Sequence, residues 1–448
     1  MFRRLRRLRL AVPTLLGLTS FWSLRCAHAE GQAPPDERFS LHFQETTVTQ
    51  AHPDFHADYS GTNSLQAEGE VATSITSTLF AGARAWPGAE LYVNPELSGG
   101  RGMSEARGVA GFPNGETFRV GSAEPVIYLG RLFLRQTIEL GGARVWEEPD
   151  ANQLGGSTSA ERLTLTLGRF SLSDIFDDNA YSHDPRTQFL NWALMSSGGW
   201  DYPADTRGYT WGGAIEYTTS VWALRAAAVL VPRSANGLEM DTQVSKAHGL
   251  VLEGERQLQI AGRQGALRLL VFLNRARMGR YDTALETSLA EGTTPDITLS
   301  REPGRTKFGF AISADQELTP ELGAFARLSW NDGQNETWAF TEIDHSLALG
   351  AVENGAAWGR AADELGLALL TQGVSGPHRR YLGAGGLGFI LGDGALDYGL
   401  ETALETYYRL ALTEPIALSA DYQLVFDPAY NQARGPVNAF ALRLHVEL

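Results

Sequence analysis

Residues 437–448 read V-N-A-F-A-L-R-L-H-V-E-L, and the choice of fold turns on them. Phe440, Leu442, Leu444, Val446 and Leu448 fall on one parity; Ala439, Ala441, Arg443, His445 and Glu447 fall on the other. Successive side chains of a strand point to opposite faces, so the stretch has one oily and one charged face. At about 3.3 Å per residue it spans roughly 40 Å. Tilted by about 45° it projects to roughly 28 Å, close to the apolar band of an outer-membrane barrel. Five such side chains left in water would cost on the order of 10 kcal/mol, at about 2 kcal/mol each. They need a second sheet or lipid.

The same alternation recurs upstream. Phe39, Leu41 and Phe43 open a first strand ending near Gln50, and Val71 to Phe80 reads as a second. A tight Trp86-Pro87-Gly88 turn leads into Ala89 to Leu97. In the stretch from Ile127 to Leu140, Tyr128, Leu132, Leu134 and Ile138 share one parity, and Arg131, Arg135 and Glu139 the other. Leu163, Leu165 and Leu167 alternate with Arg162, Thr164 and Thr166, and further strands are expected from near Gly208, Val221, His248, Ala266, Thr306, Leu322, Thr337, Gly359, Tyr398 and Ile416. With the terminal strand this gives about sixteen, an even number as bacterial barrels of this kind require. Short connections at 218–220, 261–265, 318–321 and 412–415 alternate with long ones near 98–125, 171–207, 277–304 and 373–397. Short turns on one side and long loops on the other predict a transmembrane, up-and-down antiparallel β-barrel with both termini in the periplasm. Neither heptads nor a fixed-period repeat is present.

Composition narrows the alternatives. The 448 residues carry a formal charge of −15, which offers no basic face to nucleic acid. Only Lys246 and Lys307 are lysine among 37 basic residues, so arginine, a planar and permanently charged donor, dominates. Arg3, Arg4, Arg6, Arg7 and Arg9 precede an apolar run from Leu10 to Leu24, and Ala27-His28-Ala29 supplies a cleavage pattern. Residues 1–29 are therefore expected to be a signal peptide, 30–38 a short periplasmic segment and 39–448 the barrel. A lipoprotein site at Cys26 is the rival, but Arg25 is a poor neighbour for it. Cleavage removes the single cysteine, so no disulfide holds the exported chain. No later run of about 18 apolar residues would make a helical span.

The longest connection, S-L-S-D-I-F-D-D-N-A-Y-S-H-D-P-R-T-Q-F-L-N-W-A-L-M-S-S-G-G-W-D-Y-P-A-D-T-R at 171–207, carries the strongest functional signal. Asp174, Asp177, Asp178, Asp184, Arg186, Asp201 and Asp205 stand beside Phe176, Tyr181, Trp192, Trp200 and Tyr202, and Arg207 ends the stretch. Loops this long are usually functional or disordered, and aromatic content argues against disorder. Sugars offer polar edges to carboxylates and guanidinium groups and apolar C–H faces to rings. Folded into a barrel, such a loop narrows the channel; the plainer reading is a loop with its own small core capping the mouth.

N-W-A-L at 191–194, D-Y-P-A-D-T-R-G-Y-T at 201–210, L-E-T-Y-Y-R at 404–409, D-Y-Q-L-V-F-D-P at 421–428 and Y-S-G-T-N-S-L at 59–65 resemble the OprB family of carbohydrate-selective porins. The likeness covers nearly all of the chain after the leader and is clearest at 161–217 and 398–448. It implies a sixteen-stranded outer-membrane barrel passing sugars by diffusion through an arginine-lined constriction. Leu448 departs from the aromatic residue that usually ends such barrels, which bears on assembly more than on fold.

Wall residues complement the loop. Arg131, Arg135 and Glu139 share a face, as do Glu401, Glu405, Tyr407 and Arg409, and Arg443 with Glu447. Arginine facing lipid at the midplane costs about 2–4 kcal/mol, so these groups are expected to face the lumen. There they either form a mixed-charge ring suited to neutral polyols or simply pair among themselves. The expected pore-lining set is Arg131, Arg135, Glu139, Asp177, Asp178, Arg186, Trp192, Asp201, Asp205, Arg207, Glu401, Glu405, Arg409 and Arg443.

Other motifs are weaker. G-A-G-G-L-G at 383–388 fits a dinucleotide fingerprint, but no βαβ unit surrounds it. His52 and His56 flank Pro53, a poor metal pair, and His183-Asp184 lacks a placed nucleophile. No cofactor or metal is expected. The partners expected are small carbohydrates and outer-membrane lipid, with no nucleic acid, in a homotrimer or a monomer. Two alternatives are an outer-membrane enzyme using paired acids such as Asp177 and Asp205 on sugars or lipid, and a secreted β-rich carbohydrate-binding protein.

Overall fold

The computed structural model describes residues 35–116, 123–340 and 342–448; the expected signal peptide lies outside them. Sixteen strands form one closed antiparallel barrel. They are β1 (Phe39–His52), β2 (Glu70–Trp86), β3 (Ala89–Gly100), β4 (Val126–Glu147), β5 (Gly156–Phe170), β6 (Thr210–Thr218), β7 (Trp222–Val229) and β8 (His248–Ile260). The second half comprises β9 (Arg263–Ala276), β10 (Arg305–Glu317), β11 (Leu322–Asn331), β12 (His345–Gly355), β13 (Arg360–Gly373), β14 (Glu401–Thr413), β15 (Ile416–Phe426) and β16 (Val437–Glu447). Each strand pairs with its neighbours in sequence, and β1 pairs with β16 to close the ring. Closure leaves no sheet edge, so every strand can satisfy its backbone within hydrocarbon.

Side chains follow the alternation. On β16, Leu442 is 53% exposed while Arg443 is fully buried. Leu250, Leu252, Leu267, Leu269, Leu347, Leu349, Leu367 and Leu369 continue the outward apolar surface across β8, β9, β12 and β13. No helix among the described residues is long and apolar enough to cross a membrane. The long connections gather at one end of the barrel and the short turns at the other. Two helices, α2 (Tyr281–Glu291) and α3 (Gly376–Gly383), pack together at the loop end through Tyr281 and Tyr381.

Two elements differ from expectation. The twelfth strand starts at His345, not near Thr337. Trp338, Ala339 and Phe340 are all buried, and the Asp201 carboxylate accepts the N–H groups of Trp338 and Ala339 at 2.8 Å each. A stretch covered on both parities and bonded to a distant carboxylate has no free ladder to offer a neighbouring strand. In β4 the register shifts between Asn94 and Pro95 of its partner, leaving Gly130 unpaired. This bulge flips the parity, so Tyr128 points inward beside Arg131 while Ile127 is 73% exposed.

Candidate pore constriction

The connection from β5 to β6, residues 171–209, folds into the barrel. Its aromatic residues build a core there: Trp192 packs on Phe340 with ring centroids 4.9 Å apart and on Tyr202 at 5.8 Å, and Phe189 meets Tyr407 of β14 edge-on at 5.0 Å. Asn191 caps the short helix α1 (Trp192–Met195) by accepting the N–H of Ala193 at 3.0 Å.

Wall charges hold this loop by its backbone. Glu405 accepts the N–H groups of Leu190 and Asn191 at 2.5 and 2.9 Å. Arg443 donates to the carbonyls of Pro185 and, at 2.8 Å, Gln188, and pairs with Asp421 at 3.0 Å. Arg327 of β11 bonds the Asp177 carboxylate and donates to the Ser182 carbonyl at 2.5 Å. Asp177 sits at φ 58°, a left-handed conformation, with its N–H on Glu253 at 2.8 Å. An aspartate kept there needs such over-determination. Buried polar groups without partners are costly, so these bonds fix the loop's depth in the barrel.

What remains open is a cavity of about 920 Å³ between this loop and the β2–β4 wall. Arg131 grips Asp174 with both arms, Nε to Oδ2 at 2.7 Å and Nη2 to Oδ1 at 2.6 Å, with its guanidinium 5.1 Å from the centre of the Tyr209 ring. Arg186 meets Glu116 at 3.1 Å and Asp184 at 3.4 Å. Glu96 accepts from the hydroxyls of Tyr128, Tyr209 at 2.7 Å and Thr78 at 2.9 Å. Arg207 lies 3.9 Å over the Tyr128 ring. Along the adjoining strands β6 to β10 a ladder of ion pairs runs Glu216, Arg225, Glu255, Arg268, Asp315, with contacts of 2.5–3.2 Å. Burial pushes the Asp174 and Asp184 carboxyls up, but the Arg131 and Arg186 guanidinium groups outweigh it and hold both below the usual carboxylate range. The bore therefore presents fixed guanidinium donors and ionised acceptors, with tyrosine rings between them.

The sequence-derived set divides by environment. Arg131, Asp178, Arg186, Trp192, Arg207 and Arg409 line the central cavity, and Arg135 lies where it meets a second one nearer the turn end. Glu139 sits at that turn end, paired with Arg144 at 2.6 Å. The other members are covered. Asp177, Glu405 and Arg443 hold the loop as described, and Asp201 ties it to Trp338 and Ala339. Asp205 pairs with Arg169 at 2.7 Å. Glu401 accepts the N–H groups of Ala110, Gly111 and Ala429 at 2.7–2.9 Å. Asp177 and Asp205, weighed as an acid–base pair, are thus each committed to an arginine. Glu96, Glu116, Tyr128, Tyr209 and the Arg225–Arg268 ladder were not in the set. Strand parity alone could have found Arg225 and Arg268; Tyr128 needed the bulge at Gly130. His52 pairs with Glu70 at 3.3 Å and His56 with Asp58 at 3.0 Å, so the two histidines share no site.

The sequence pattern of the family described as carbohydrate-selective porin, OprB family, matches residues 62–448. No individually curated protein matches. Among solved structures, the high-pH structure of Pseudomonas putida OprB aligns with a TM-score of 0.68 at 16% identity, over 92% of this chain and 94% of that one. The outer-membrane channel DcaP of Acinetobacter baumannii aligns at 0.48 and 10% identity, over 92% of this chain and 97% of its own.

Proposed function

The chain belongs to the OprB family of carbohydrate-selective porins and is an outer-membrane β-barrel channel for carbohydrates rather than an enzyme; we propose that its constriction is the gap between residues 171–209 and the β2–β4 wall. The observation that carries this reading is the two-armed Arg131–Asp174 bridge across that gap, flanked by Arg186 and Arg207. A sugar passing there exchanges water for guanidinium donors and carboxylate acceptors that are already oriented, and for ring faces at Tyr128 and Tyr209. Because the charges alternate in sign, a neutral polyol is accommodated with little net field, whereas an ion meets a barrier of one sign or the other. Arg135 and Arg409 extend the polar path toward the periplasm, and Asp178 faces the Arg268 side.

Residues 1–29 serve as the export signal and 39–448 as the conducting domain. One chain encloses the whole bore, so each protomer conducts by itself, in a monomer or a trimer, with the leucine-rich outer rows against lipid. Liposomes carrying the purified protein should swell faster in glucose and small oligosaccharides than protein-free liposomes, and Arg131→Ala should change the rate. Swelling no faster than the protein-free control would remove the reading.

A further inference from the structure

The β4–β5 connection is not an ordinary short turn. β4 is 22 residues long, and its register with β5 shifts twice, between Glu139 and Gly141 and between Gly141 and Arg144. Gly141 and Gly142 take φ of 138° and 86°, which side chains tolerate poorly. Bulges bend a strand, and these turn the hairpin back over the barrel mouth. Residues 148–155 consequently enter the bore: Asp150, Ala151, Asn152 and Gln153 line the central cavity.

Five contacts hold the turn there. Arg135 donates to the Asn152 carbonyl at 2.8 Å, and the Leu154 N–H donates to the Tyr92 hydroxyl at 3.1 Å. The segment before β1 straps the far side. Glu37 and Gly155 exchange hydrogen bonds, Glu37 N–H to the Gly155 carbonyl and Gly155 N–H to the Glu37 carboxylate, both 2.8 Å, and Asp36 accepts the Ser157 N–H at 2.9 Å. The turn also partitions the space below the constriction. A second cavity of about 680 Å³ lies on its other side, and among the described residues only Arg135, Gln153 and Asp174 border both.

We propose that residues 150–153 are a second filter, at the periplasmic exit, with Asp150 the residue that disfavours anionic sugars there. The inference rests on the bore being the carbohydrate path. Asp150 shares the central cavity with Asp184 and Glu447, and Arg135 of β4 holds the turn by donating to the Asn152 carbonyl while keeping its charge. A sugar acid leaving the constriction meets carboxylates from three elements, and a neutral sugar meets amide and carboxylate acceptors.

Asp150→Arg tests this in liposomes and planar bilayers, against wild type. Expected are a shift of the reversal potential in a KCl gradient toward anions and a higher ratio of glucuronate to glucose swelling. A second variant replaces residues 148–155 by Asn-Gly and should raise single-channel conductance. Unchanged selectivity, swelling ratio and conductance, in a protein that still passes glucose, would overturn the exit filter and leave the porin reading intact. If the shortened hairpin fails to assemble, Asp150→Arg alone decides. Loss of glucose passage in wild type itself would instead strike the porin reading.

Discussion

Glu405 on β14 accepts the backbone N–H of Leu190 at 2.5 Å, so a charge pointing into the barrel is spent on the main chain of the loop inside it. The same carboxylate takes the N–H of Asn191. Glu405→Ala leaves two buried N–H groups unpaired, at about 1–3 kcal/mol each. The barrel should still show heat-dependent gel mobility, but loop 171–209 should become protease-sensitive and single-channel records noisier. Glu405→Gln, which keeps an acceptor, should fall between. A quiet record from Glu405→Ala would show that the loop is held without this latch.

Arg131 and Asp174 form the bidentate bridge at the constriction, a geometry lysine does not reproduce. Arg131→Ala should increase conductance and shift selectivity toward cations, because Asp174 is left without its counter-charge. Arg131→Lys should retain most of the selectivity but slow sugar passage less than wild type. Reversal potentials for the three proteins, measured together, check the ordering.

Asp174 is held below its ordinary pKa: burial alone would raise it, and Arg131 overcomes that. A carboxylate depressed in the folded state contributes stability that is complete above its unfolded value, about 3.9, and is lost as pH falls through the lower folded value. The Asp174 contribution to selectivity should therefore be flat from neutral pH down to mildly acidic conditions and change only below about pH 4, after Glu116 and Asp150, whose carboxyls burial pushes up, begin to take up protons. In Arg131→Ala the change should start at higher pH. A titration of reversal potential from pH 7 to pH 3 reads both.

Leu442 faces outward and Arg443 inward on the same strand. Leu442→Arg places a charge toward lipid, at about 2–4 kcal/mol near the midplane, and should impair insertion. Arg443→Ala should insert, but with loop 171–209 loosened, since the carbonyls of Pro185 and Gln188 lose their donor. Equal assembly yields for the two variants would contradict the assignment of faces.

The barrel was legible because its signal is local and repeated: period-two alternation writes the lipid face onto each strand independently. The expected count of sixteen strands holds, and so do the positions of nearly all of them. The failures share a cause. The strand expected near Thr337 gave way to Asp201, more than a hundred residues upstream, and Tyr128 changed sides because of one unpaired glycine. Neither event leaves a mark on the alternation itself.

For the bore, strand parity alone says which charges point inward, since hydrocarbon tolerates none of them on the other side. It could not separate Arg131, which lines the cavity, from Arg443, which meets a peptide carbonyl. Parity is a property of one strand. Whether an inward charge is spent on a loop or left for a solute depends on how deep residues 171–209 descend, and that depth is set by contacts between segments far apart in the chain.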